Sequence, residues 1–277
     1  MGKNKMKVNK KYHLLVGGIL SFLVLSLCLV SFFYTPYPPN EMNLSDKFIS
    51  PGDSGKYLLG TDHFGRDILS RIMYGSQSIV IVCLLAVAIG ALVGSVLGGV
   101  SGIFKGRISS LIMRGIDGLM AFPGILLAMM MVVVVGKGKE GAIVAISIFM
   151  VPSFARLVYS LILDSESNLF IKAAKSYGIT RRRLLVKHYL PIILPRLITL
   201  FTACLGAAIM IETSLSFLGL GVQPPNASWG MMLNEARQNF LQYPYLAIPS
   251  GIAISLSVLG FNLLGDGLNE LFTKRRS

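Results

Sequence analysis

Two glycine–lysine stretches invite a phosphate-binding reading, and their spacing rejects both. In "PGDSGKY" (51–57) two residues separate Gly52 from Gly55, and Tyr57 follows the lysine. A P-loop needs four residues between its glycines and a Ser or Thr after the lysine to hold Mg²⁺. "GKGKEG" at 136 fails in the same way. His13, His63 and His188 fall in three segments separated by long apolar runs, and only His63 has carboxylates close in sequence, Asp62 and Asp67. They make no three-ligand metal set. Met129, Met130 and Met131 are consecutive and point different ways on a helix, so they read as packing. Cys28, Cys83 and Cys204 lie inside apolar stretches without paired spacing and read as small packing residues. No nucleophile–base–orienter set and no paired carboxylates appear, which leaves no enzymatic chemistry in the chain. One segment stands apart: "IKAAKSYGITRRRLLVKHYLP" (171–191), basic and amphipathic in a chain that otherwise suits lipid.

The elements that position it follow from composition. The chain has 277 residues, 53% hydrophobic and only 14% charged, with mean hydropathy +0.66. A soluble domain carries about 25% charged residues, so this is an integral membrane protein. A balance of +13 would suggest nucleic acid for a soluble protein; here it bears on orientation, and no nucleic-acid partner is expected. A span needs about 20 apolar residues. Six are expected, at 14–34, 79–103, 118–136, 141–163, 192–218 and 238–265, the last starting near Tyr245. The first follows a lysine-rich start without a small-residue cleavage site, so it is read as a retained helix. Six spans put both termini on one side. With that side cytoplasmic, inner segments carry eighteen cations and outer segments seven, which orients the chain.

The basic segment then lies in the longest inner loop. Ser167 or Asn168 caps a helix of about ten residues, and Gly178 suits the position after its end. Phe170, Ala173, Ala174 and Tyr177 fall at i, i+3, i+4 and i+7 and form one apolar stripe. Small centre and bulky ends fit a groove on another protein; a helix lying on anionic lipid is the alternative. Thr180 caps a second helix carrying Arg181, Arg182 and Arg183, whose charges also serve positive-inside anchoring. Gly90, Gly94, Gly98 and Gly102 repeat every four residues, a ladder for close helix packing. Intramembrane charges are paired or functional. Asp117 follows Arg114 by one turn, so an ion pair is its plain reading, with a place on the pathway or an interface as the alternative. Glu212 sits deep in the fifth span, at a helix interface or on a pathway, and Asp266 near the inner end of the sixth.

The pattern "AAKSYGITRRRLLVKHYLP" resembles the cytoplasmic signature of ABC importer permeases: E-A-A, three residues, Gly, nine residues, I-x-L-P. Ala173, Ala174, Gly178, Leu190 and Pro191 match at that spacing, while Lys172 replaces Glu and His188 replaces Ile. The peptide/nickel branch commonly shows a basic residue and a His there, but no argument can rest on a carboxylate at 172. "LLGTDHFGRDILSRIMYGSQSI" (58–79), "RGIDGLMAFPGILLA" (114–128), "ETSLSFLGLGVQPPNASWGMMLNEAR" (212–237) and "FNLLGDGL" (261–268) are similar to the C-type permeases of dipeptide, oligopeptide and nickel importers. The resemblance covers nearly all the chain from about residue 14.

It implies an all-α membrane protein of the type I ABC importer (MetI-like) permease fold, with 1–75 as tail, first helix and outer loop, 76–270 as a five-helix core and 271–277 as a tail. The segment near 165–180 would be the coupling helix, with Phe170, Ala173, Ala174, Tyr177, Gly178, Leu190 and Pro191 docking an ATPase. Implied partners are a second permease subunit, two ATP-binding subunits holding ATP and Mg, and an extracytoplasmic binding protein. This chain would hold no cofactor or metal of its own. The cargo would be nickel, a metal chelate or a short peptide. On physics alone a channel or a membrane scaffold stays open.

Overall fold

The computed structural model describes residues 2–274 except 54 and 105, and the side chains among these apart from those of 2–11, 181, 182, 273 and 274. Its helices are α1 (Gly2–Ser31), α2 (Ile68–Ile103), α3 (Arg107–Met120), α4 (Gly124–Val135), α5 (Lys139–Ser165), α6 (Leu169–Ser176), α7 (Arg181–Leu184), α8 (Leu190–Phe217), α9 (Trp229–Arg237) and α10 (Ile248–Lys274). A π-helical turn, Leu185–Tyr189, joins α7 to α8. α10 runs to Lys274, so the tail expected at 271–277 is helical as far as the structure describes it, and 275–277 lie outside the described residues.

Among the described residues, five helices are long and apolar enough to cross a membrane. The expected third span, 118–136, is instead broken: α3 and α4 meet at 97°. Pro123 explains the break, since it cannot donate to a helix and pushes Phe122 out of the helical region. The twelve residues of α4 extend only about 18 Å at 1.5 Å per residue, against a hydrocarbon core of about 30 Å. The six-span count therefore holds only if this bent pair is one span. α2 errs the other way. Its 36 residues begin at Ile68, eleven before the expected start, because Asp67 accepts from the Ser70 amide and caps the helix.

The core is built on the α2–α5 contact. Ala86, Val87, Ala145, Ile146, Met150 and Phe154 are all buried in it. The glycine ladder of α2 faces α5: Gly90 lies against Ser147 and Met150, Gly94 against Val151 and Phe154, Gly98 against the backbone of Ala155, and Gly102 against Ile162. A side chain on Gly98 would meet backbone, which cannot rotate aside. Gly98→Val is therefore expected to destabilise by about 1–3 kcal/mol or more, read as a lowered unfolding midpoint in detergent. Gly115, with open space around it, should accept Ala without such a change.

α1 packs on α10 through a second close approach, Gly17 on Leu263 and Leu264, and Gly267 on Leu14. Arg196 near the start of α8 donates to Asn269 near the end of α10 at 2.8 Å. The start of α1, the end of α10 and the α6 region thus share one end of the bundle. α9 and the segment 32–67 occupy the other, where the Trp229 indole donates to the Ile72 carbonyl at 2.9 Å.

Candidate functional site

α6 is a short helix on a deliberate mount. Its C-terminus closes in a Schellman motif: Ile179 N–H reaches Ala174 O at 3.3 Å and Gly178 N–H reaches Lys175 O at 3.0 Å. Gly178 supplies the left-handed turn with φ +69°. Lys175 donates to Glu166 at 2.7 Å, a bond that holds its ammonium above the ordinary lysine pKa and staples α6 back to the end of α5. Beneath α6, Ile171 and Ala174 are buried in a small core with Val158, Ile162, Leu184 and Ile193.

This mount divides the expected stripe. Ala174, only 6% exposed, faces inward beside Ile171 and is not available for docking. Phe170 and Tyr177 are 51% and 87% exposed, and Ala173 lies between them on the open face. The reason is periodicity: both i+3 and i+4 fit a stripe, and the three-dimensional core selected 171 and 174 instead of 170 and 174. Leu190 lines an apolar cleft between α2 and α8, and Pro191 sits in the first turn of α8. Having no N–H, Pro191 disturbs the hydrogen-bond ladder behind it, and Leu190 N–H bonds Leu185 O, five residues back. His188 lies on that π turn with its ring 6.5 Å from Phe170.

Asp117 does not pair with Arg114. Its Oδ1 accepts from Arg156 on α5 at 2.6 Å, an exposed bridge that ties the bent α3 to the core. Exposed pairs contribute about 0.2–1 kcal/mol, so Asp117→Asn should shift thermal unfolding by no more than that. Glu212 is fully buried inside the chain, where Ser216 Oγ donates to its Oε1 at 2.7 Å and in turn accepts from Val222 N–H at 3.1 Å. It serves the turn after α8 and lines no open pathway in this conformation.

The opposite end holds an ionic cluster that sequence spacing did not reveal. Arg66 donates to Asp62 at 2.6 Å and to Glu235 of α9 at 2.9 Å. Arg71 lies 3.7 and 3.6 Å from the same two carboxylates and is 1% exposed. Asp62 also accepts from the Phe64 and Arg66 amides at 2.8 and 3.0 Å. Asp62 and Arg66 are neighbours in sequence, but Glu235 is 169 residues away, and no local pattern could have joined it. Around this cluster the 32–67 segment is ordered by Asp46, whose carboxylate accepts from Tyr57 at 2.8 Å and is thereby held below its usual range.

Asp62, His63 and Glu235 also place one ligand atom each within 4.8 Å of one another, a grouping the sequence did not reveal. The two guanidiniums already neutralise both carboxylates, which disfavours a divalent cation.

A family model described as "Binding-protein-dependent transport system inner membrane component" matches residues 90–277. The glutathione transport system permease protein GsiD of Pectobacterium atrosepticum is 38% identical over 261 residues, covering 94% of this chain and 86% of that one. Its counterpart in Escherichia coli O6:K15:H31 is 39% identical over 264 residues, covering 95% and 87%. Among solved structures, an inward-facing MetNI methionine ABC transporter chain aligns with TM-score 0.59 at 17% identity, over 69% of this chain and 91% of that one. A second crystal form gives 0.61 at 16% identity, over 72% and 94%. These last two establish a shared fold.

Proposed function

The chain belongs to the binding-protein-dependent transport system inner membrane component family, multi-pass permease subunits of ABC importers, and we propose that α6 is the helix through which an ATPase drives it. The observation that carries this is the open face of Phe170, Ala173 and Tyr177 on a helix fixed from below by Ile171 and Ala174. A rigid knob of this shape transmits a push, where a loose one would absorb it. In this reading the α6 end is cytoplasmic, supported by the eighteen-to-seven cation asymmetry. A second, related permease subunit completes the pathway. Two ATP-binding subunits hold ATP and Mg, and an extracytoplasmic binding protein delivers cargo to the α9 end.

For cargo we propose a short peptide of the glutathione class. Relatives 38–39% identical over nearly the whole chain carry that assignment, whereas a nickel or metal-chelate cargo rested on the compact length of the chain. The test is uptake of labelled glutathione, a labelled dipeptide and labelled nickel, the metal with and without a chelator, in a strain lacking this subunit. Loss of glutathione or dipeptide uptake alone supports the proposal. Loss of metal uptake alone overturns it.

A further inference from the structure

We propose that the cleft between α2 and the π turn leading into α8 is a binding site for one anionic glycerophospholipid. The open cleft has a volume of about 400 Å³, and its lining is apolar except for Ser95. Its two walls run antiparallel. Leu92 and Leu197 line it at depth, Phe104 with Leu185 and Val186 at its mouth, and Gly99 leaves the floor open between them. From Leu92 to Phe104 is about 18 Å along a helix at 1.5 Å per residue. That length suits an acyl chain laid along the cleft.

Charge selects the occupant. Neither 92–108 nor 183–197 contains an acidic residue, whereas Arg107, Arg183 and Lys187 stand in these segments and their side chains are exposed. Arg183 lies in α7, and Lys187, four residues on, stands on the π turn that also supplies Leu185 and Val186 to the cleft. Of the carboxylates at this end, Glu166 is held by Lys175 and Asp117 by Arg156, while Asp164 near the end of α5 is exposed. Cations one to three residues along the chain from the lining residues Phe104, Leu185 and Val186 match a phosphate headgroup above its acyl chain. The π turn is what builds the site, because it brings a cation of the basic run and the apolar wall into one turn of backbone. A lipid seated there packs directly against the small core that supports α6.

The inference depends on neither cargo nor ATPase, and the cations and the cleft share one end of the molecule whichever way it is inserted, so its failure is separable from theirs. The transporter, purified with its partner subunits in mild detergent, is equilibrated with phosphatidylglycerol or phosphatidylcholine of matched chains, and retained lipid is counted by native mass spectrometry. Wild type should retain phosphatidylglycerol at least tenfold over phosphatidylcholine. Gly99→Leu, which fills the cleft, should retain neither. Arg183→Gln with Lys187→Gln, two exposed changes that leave the core intact, should abolish the preference. Equal retention of both lipids by wild type, or an unchanged preference in the double variant, would overturn the proposal. So would an oxidant-induced disulfide between Val96→Cys and a cysteine introduced into the second permease subunit, which would show the cleft covered by protein.

Discussion

Phe170→Asp combined with Tyr177→Asp is expected to release the ATP-binding subunits from the purified complex and to lower uptake by about a hundredfold or more. Aromatic anchors at an interface commonly contribute about 2 kcal/mol or more each, and 1.4 kcal/mol is about a tenfold change in affinity. Both side chains are open to solvent in this chain, so their loss costs its own folding little. Ala174→Trp would also abolish uptake, but by another route. The indole would have to enter the core of Val158, Ile162 and Ile193, and overpacking costs about 1–3 kcal/mol. Gly178→Arg has room for its side chain, yet strains the left-handed turn by about 1–2 kcal/mol. The aspartate pair is therefore the cleaner probe. Co-purification of the ATPase subunits at wild-type yield would exclude α6 as the docking helix.

Asp62→Ala is expected to be the most destabilising single change at the opposite end. It would leave Arg66 and Arg71, 4% and 1% exposed, with Glu235 as their shared counter-charge, and would strip the Phe64 and Arg66 amides of their acceptor. Removing one partner of a buried ion pair costs about 3–5 kcal/mol. Limited proteolysis should then cut within 32–67 at rates wild type never shows, and the complex should unfold at lower temperature. The paired substitution Asp62→Asn tests the charge against the hydrogen bonds. It keeps an acceptor for the amides, so intermediate loss is expected. Wild-type protease resistance in Asp62→Ala would show that Asp46 and Tyr57, and not the ionic cluster, hold this segment.

Helical membrane architecture was legible in the chain because burial in lipid is a one-dimensional demand: a run of about 20 apolar residues suffices to declare it. The glycine ladder was legible for a similar reason, since a period of four on one helix needs no knowledge of which helix it meets. Gly178 was legible because a left-handed turn after a helix leaves few alternatives to glycine. Two readings failed where a partner had to be chosen. Asp117 was given Arg114 on its own helix, and the fold offered Arg156 on another at 2.6 Å. Ala174 was assigned outward with Tyr177, and the small core beneath α6 claimed it.

The amino-acid sequence by itself determined that this is a polytopic helical membrane protein with a basic, amphipathic segment between its fourth and fifth apolar runs, because periodicity, hydropathy and charge are properties of neighbours along the chain. Tertiary structure alone decided that Glu235 closes a cluster with Asp62, Arg66 and Arg71, and which face of α6 stays open. Each of those is a contact between groups far apart in sequence, and a contact is settled only when packing fixes which surfaces meet.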